Sequence, residues 1–315
     1  MENLIFSLNA TMPVFLMMVL GYVFHKIGWI SDAFADQMNR FVFLVPLPVK
    51  LFEDLATVDF REMWDTKFVV FCFLATLLSI CAAGAISLLF KDRSIRGEFI
   101  QASYRSSAAI LGIALITNIY GNSGLVPLMI IGSVPLYNIM AVLVLSFTQP
   151  ETGDAADRPG ITGTVKSILT NPILIGIAAG LVWSAFSLPL PSVCGDVISG
   201  IGATASPLGL MAMGASFEFS KAAGKMKGAF AAAFLKLVGF AALFLPAAIR
   251  LGYRDEALVS ILIMLGSATT VSCYVMCRSM GHEGTLTSNT VMLTTVLSAF
   301  TLTMWLFILR SLGLV

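Results

Sequence analysis

Residues that could do chemistry stand out in this chain because they interrupt apolar sequence. Lys236 lies in AAAFLKLVGFAALFLP, about ten residues from either end of an uncharged run. An ammonium at that depth is costly, so it must face a cavity, a partner or the protein interior. It either binds a substrate carboxylate, or holds backbone carbonyls as a coupling cation would, or is a lysine snorkelling to the surface. Arg105 stands just before a cluster of small and hydroxyl residues, Ser106, Ser107, Ala108 and Ala109. Its guanidinium can meet a carboxylate with a bidentate fork, or pair with Glu98 seven residues earlier. A second such cluster is Ser267, Ala268, Thr269, Thr270 and Ser272. Small residues let backbones cross closely and hydroxyls offer hydrogen bonds at mid-depth. If the helix unwinds there, amide donors and the positive ends of the half-helices favour an anion; the alternative is a tight helix–helix contact.

The elements that must position these groups are membrane helices. Hydrophobic residues make up 57% of the 315 and charged residues 12%, about half the share usual in soluble domains, and mean hydropathy is +0.90. Stretches such as 68–90 and 286–309 exceed the ~20 residues that span hydrocarbon as a helix. The short alternating segments of a β-barrel do not occur. Spans are expected at 3–24, 34–56, 67–90, 97–119, 124–147, 165–187, 194–217, 227–249, 255–279 and 285–310. The first is long enough, and lacks the basic start, to be a retained helix rather than a signal peptide. A net charge of +1 leaves no footprint for nucleic acid.

The chain also repeats itself at an offset of about 159 residues. Pro13 and Gly21 recur as Pro172 and Gly180, and Pro48 recurs as Pro207. Five spans per copy would make the second copy enter the bilayer from the opposite side, as in transporters built from inverted repeats. The expected division is 1–148, a polar Gly/Pro/Asp-rich linker at 149–163, and 164–315. Lys and Arg number ten in one set of loops and five in the other, which places the linker in the cytoplasm and both termini outside. Pro46 and Pro48 in span 2, and Pro207 in span 7, predict kinks.

Other features carry less. Lys50, Glu53 and Asp54 have the spacing of an internal salt bridge on a helix. His25 and His282 fall near loop ends and are poor proton relays. Five cysteines without a C-x-x-C exclude a disulfide framework or zinc site; Cys273 and Cys277 read as small apolar filler. The Asn9 sequon lies inside the first span, and Gly121-Asn122-Ser123-Gly124 reads as a turn. As a serine nucleophile, Ser123 would lack a mid-span histidine to act as base.

The ordered set of motifs resembles the auxin efflux carrier family, which includes bacterial permeases of malonate-transporter type and the plant PIN auxin exporters. Asn39-Arg40-Phe41-Val42 before Pro46 is similar to the span 2 signature, and Leu111-Gly112-Ile113-Ala114-Leu115 to the span 4 segment. Tyr137-Asn138, Asn171-Pro172 and Phe234-Leu235-Lys236-Leu237 resemble motifs of spans 5, 6 and 8, and the run Ala268 to Val275 resembles the span 9 crossover. The family has proline at the positions of Ala114 and Ala268, and asparagine at that of Ser107. The last difference implies a ligand unlike those of better-known members.

The resemblance implies an all-α polytopic membrane protein with ten transmembrane helices in a 5+5 inverted repeat, with helices 4 and 9 crossed and broken. It implies a scaffold of spans 1, 2, 6 and 7, a moving core of spans 3–5 and 8–10, a homodimer formed through the scaffold, and elevator-type alternating access in the inner membrane. The expected function is secondary transport of a small organic anion, a carboxylate, with a neutral or amino-acid-like solute, or an intramembrane enzyme, as alternatives. The substrate-binding set is Arg105, Ser106, Ser107, Ala108, Asn138, Lys236, Ala268, Thr269, Thr270 and Ser272. Gly112, Ala114, Pro48 and Pro207 are the expected crossover or hinge positions. No cofactor or metal is expected; coupling is to Na⁺ or H⁺, or to the membrane potential alone.

Overall fold

The computed structural model describes residues 13, 16–57, 64–108, 115–116, 119–120, 125–149, 169–186 and 188–315. Gly112, Ala114, the Gly121–Gly124 string, the Asn9 sequon and all of the expected linker but Gln149 lie outside them. Helices are the only regular elements among the described residues. They are α1 (Leu16–Lys26), α2 (Asp32–Leu44), α3 (Pro46–Ala56), α4 (Thr66–Ser87), α5 (Arg96–Tyr104), α6 (Val126–Phe147) and α7 (Pro172–Ala185). Then follow α8 (Ser192–Ala203), α9 (Ala205–Ala215), α10 (Phe219–Phe234), α11 (Phe240–Arg250), α12 (Asp255–Gly266), α13 (Ser272–Ser279) and α14 (Thr285–Ser311).

Five continuous stretches are long and apolar enough to cross a membrane: Thr66–Ser87, Val126–Phe147, Ser192–Ala215, Ala222–Arg250 and Thr285–Ser311. Their outer faces carry exposed Leu74, Leu78, Phe230, Phe234, Phe300 and Phe307. A water-soluble surface rarely bears so much contiguous apolar area; lipid accommodates it.

Local chemistry sets the helix starts. Ser31 accepts from the Phe34 amide to cap α2, and Asp65 accepts from Lys67 and Phe68 to cap α4. Asn171 caps α7 through the Ile173 amide, with Pro172 at the first position. Capping satisfies amides that have no partner inside the helix. This cap starts α7 at Pro172; the expected start of span 6 at 165 lies outside the described residues. The helix of span 8 starts earlier than expected, at Phe219, so Lys225 lies on it and pairs with Asp92 at 2.9 Å. In the connection between α4 and α5, Asp92 accepts from Ser94 and from Lys225, which holds its carboxyl down at about 2.

The expected kink in span 2 is a break, whereas span 7 stays continuous over Ser192–Ala215. Span 2 divides at Val45, the residue before Pro46, where the proline ring disfavours helical backbone. Pro46 and Pro48 then occupy the first turn of α3, where a missing N–H has no intrahelical carbonyl to leave unpaired. Span 7 has only a local turn at Thr204, in helical backbone, which is 159 positions after Val45, and Pro207 falls in the first turn of α9. A further break falls between α12 and α13, and α5 ends at Tyr104, followed by non-helical Arg105–Ser107.

Packing follows the same offset. α3 packs chiefly on α7 and α8, and α2 on α9. A Cβ on Gly21 would strike the Met211 carbonyl oxygen, and one on Gly180 would meet the Phe52 carbonyl oxygen at 2.8 Å. Both partners, like both glycines, are 159 positions apart. At such sites, Gly176 against Pro48 among them, glycine lets helices touch backbone to backbone. The remaining helices form a second group, with α4 on α5 and α6, α10 on α14, and α11 on α12. α13 lies against α2, joined by a 2.5 Å ion pair between Arg278 and Asp36.

Candidate functional site

The breaks after α5 and α12 meet. The Ser107 amide donates to the Ala268 carbonyl at 2.9 Å, Thr269 Oγ1 donates to the Ala102 carbonyl at 2.9 Å, and the Ser106 and Ser267 hydroxyls share a short hydrogen bond.

A helix that stops inside a membrane leaves its last carbonyls without partners. At the end of α12 these carbonyls are taken by side chains. Lys236 Nζ donates to Met264 O at 3.1 Å and to Leu265 O at 2.9 Å. The Tyr137 hydroxyl also donates to Met264 O, at 3.2 Å, and Ser106 Oγ to Ile263 O at 3.2 Å. Lys236 is fully buried in a single π-turn, Leu235–Gly239, between α10 and α11. That turn widens the helix where the lysine leaves it, and such turns recur at functional positions. Of the alternatives open for Lys236, the structure has it on the carbonyls. Its positive charge sits at the negative end of α12.

Beside these breaks is a cavity of about 90 Å³, room for about three water molecules. Arg105, Ser106, Ser107, Ala108, Asn138, Thr270 and Ser272 of the expected set line it. Ala268, Thr269 and Lys236 do not; they hold the breaks open from behind. Sequence reasoning missed Lys50, Asp54, Tyr137 and Ser206 as lining residues. Lys50 makes the expected internal bridges, 3.2 Å to Glu53 and 2.9 Å to Asp54. Two opposite charges one turn apart in an apolar span signal that they face away from lipid, but not that they border this cavity.

Arg105 is 1% exposed and has only neutral partners. Nη2 donates to Asn138 Oδ1 at 2.6 Å and to Ser272 Oγ at 2.8 Å. Nη1 lies 3.5 Å from Gln101 Oε1 and against the Met276 sulfur. Nε has no hydrogen-bond partner among the described residues. Glu98, the alternative partner, is turned away. It accepts from the amides of Gly284 (2.9 Å) and Thr287 (3.0 Å) at the start of α14, where a carboxylate complements the helix dipole. The first turn of α13, at Ser272, also borders the cavity, so two positive features converge there.

On the side where the expected orientation puts the cytoplasm, a second cavity of about 480 Å³ is bordered by Lys26, Asp36, Glu218, Tyr274, Arg278 and Glu283, among others. His282, expected near a loop end, is there but buried, with Nε2 3.0 Å from the Leu145 carbonyl. Cys273 and Cys277 are buried, as filler would be, but Cys277 also meets Gln101 and Thr287.

The model of the family described as "Membrane transport protein" matches residues 6–306. A protein of Rhizobium meliloti named "Putative malonate transporter" is 22% identical over 310 residues, 96% of each chain. An "Uncharacterized transporter" of Methanothermobacter thermautotrophicus is 22% identical over 222 residues, 68% of each chain.

Proposed function

The chain belongs to the membrane transport protein family, the auxin efflux carriers, and we propose that it is a secondary transporter of a small organic anion, a carboxylate. The observation that carries this reading is Arg105: a buried guanidinium, always charged, bordering a cavity with neutral partners only. An unpaired buried charge is strongly unfavourable, and a carboxylate in the cavity would relieve it with charge-assisted hydrogen bonds. The start of α13 and the hydroxyls of Ser107, Thr270 and Ser272 complete an anion-binding wall. The cavity's size fits a solute of a few heavy atoms. The name of the Rhizobium relative is in keeping with this class.

In this reading the protein has ten spans in two inverted repeats, joined by the 149–163 linker. The contacts of Gly21 with Met211 and of Gly180 with Phe52 support that symmetry. The scaffold is α1–α3 with α7–α9, and the core is α4–α6 with α10–α14. The core carries Arg105 and moves past the scaffold in an elevator step. Two protomers pair through the scaffold, in the inner membrane, with both termini outside. Lys236 takes the place of a coupling cation on the α12 carbonyls. The membrane potential, worth ~2.3 kcal/mol per charge per 100 mV, or a coupled H⁺ or Na⁺ supplies the drive.

One observation favours a second reading. Asp54 borders the same cavity as Arg105, so a zwitterion could place its carboxylate on Arg105 and its ammonium on Asp54. Saturable flux of labelled malonate and of labelled alanine in proteoliposomes decides between the two. Alanine flux without malonate flux would replace the anion reading, and flux of neither would end both.

A further inference from the structure

We propose that the protein works as an anion exchanger, its core crossing only with an anion on Arg105. The inference rests on the transport reading above and concerns what happens after the substrate leaves. Arg105 belongs to the core group of helices and cannot shed its proton. Among the described residues no carboxylate oxygen lies within ion-pair distance of it. Two other charges buried in the core, Lys236 on the α12 carbonyls and Glu98 at the start of α14, travel with it whether or not substrate is bound, and they offset each other. Bare Arg105 is therefore the charge that changes state with the load.

Lys50 and Asp54 of the scaffold line the same cavity, and with Glu53 they form a cluster of one cation and two carboxylates. Asp54 borders the same cavity as Arg105; Glu53 is turned toward Gly202 of α8. The scaffold thus offers one negative charge in excess to the core's positive one, through a medium of low dielectric. A bare core is held here by that attraction, and it would carry an unneutralised charge through the membrane if it left. A bound monoanion, such as malonate with one carboxyl protonated, cancels both restraints. Exchange needs only loaded crossings, whereas net flux needs a bare return.

The test uses purified protein in proteoliposomes, with labelled malonate outside. One set of vesicles is loaded with unlabelled malonate and the other with HEPES buffer free of small anions, both with K⁺ and valinomycin so that no opposing potential builds up. We expect uptake into the malonate-loaded set to be faster by about tenfold or more. Equal rates would overturn exchange while leaving the transport reading intact. Absence of uptake in both sets would overturn the transport of malonate and this proposal with it. Asp54→Asn, which removes the scaffold's excess charge without changing its shape, should bring the two rates severalfold closer. An unchanged ratio in that variant would overturn the electrostatic restraint.

Discussion

Ser107 and Ala268, 161 positions apart in the chain, are joined by a 2.9 Å hydrogen bond from amide to carbonyl. Each lies in the non-helical segment that follows a half-helix. The bond pairs two backbone groups that the helices have released, at the place where the cavity opens. Arg105 extends from one of these segments and Ser272 from the end of the other. Anything that loosens this crossing should therefore disturb binding and stability together, whereas changes confined to the cavity wall should separate the two.

Lys236 belongs to the crossing. It does not border the cavity, but it shares the Met264 carbonyl with Tyr137 and holds the Leu265 carbonyl, which would otherwise be left without that donor. Lys236→Met should destabilise the protein by about 1–3 kcal/mol, the cost of one unsatisfied buried group. Thermal unfolding of the detergent-purified variant checks this. A variant as stable as the wild type, with malonate-induced stabilisation lost, would place Lys236 in the substrate site instead.

Arg105→Lys tests the fork. Lysine keeps the charge but cannot hold Asn138 and Ser272 while also meeting a carboxylate with two donors. A charged hydrogen bond contributes about 1.5–3 kcal/mol, so affinity should fall roughly ten- to a hundredfold. Concentration-dependent thermal shift with malonate measures it.

The two glycine contacts predict losses at both sites. Gly21→Ala and Gly180→Ala each force a methyl into a carbonyl oxygen of the neighbouring helix. Overpacking of this kind costs about 1–3 kcal/mol, with the larger loss at Gly21, whose added methyl would come nearer to its oxygen. Unfolding temperatures of the two variants test this, and a loss at one site only would speak against the repeat.

His282 makes stability depend on pH. It lies in the loop between α13 and α14, where burial pushes its pKa below the usual histidine value and its Nε2 proton is used on the Leu145 carbonyl. The unfolded chain therefore binds a proton more readily than the folded one. Its contribution is present above the ordinary pKa near 6.5 and is lost as pH falls from there through the depressed folded value. Unfolding temperature should drop more between pH 7.5 and 5.5 in the wild type than in His282→Gln.

Part of the helical frame was legible in the sequence. Apolar length marked the five continuous spans among the described residues, and Pro46 marked the break at Val45. The break after α12 occurs at Ala268, where the family has proline. Lys236, Tyr137 and Ser106 hold the freed carbonyls there, so proline is not needed to end the helix. The partners of Arg105 were not legible. Glu98 was the local alternative, yet its amide partners lie 186 and 189 positions away at the start of α14. Nor did spacing reveal that Lys50 and Asp54 border the cavity, because an i,i+4 ion pair reads the same on any helix face. Tertiary contacts between the two halves decide both.

The account depends most on Arg105 holding an anion, and flux measures that directly. In proteoliposomes of matched protein content preloaded with unlabelled malonate, the wild type should take up labelled malonate saturably, and Arg105→Gln should lose that uptake while remaining folded by size-exclusion chromatography and thermal unfolding. Wild-type uptake by a folded Arg105→Gln protein would contradict it.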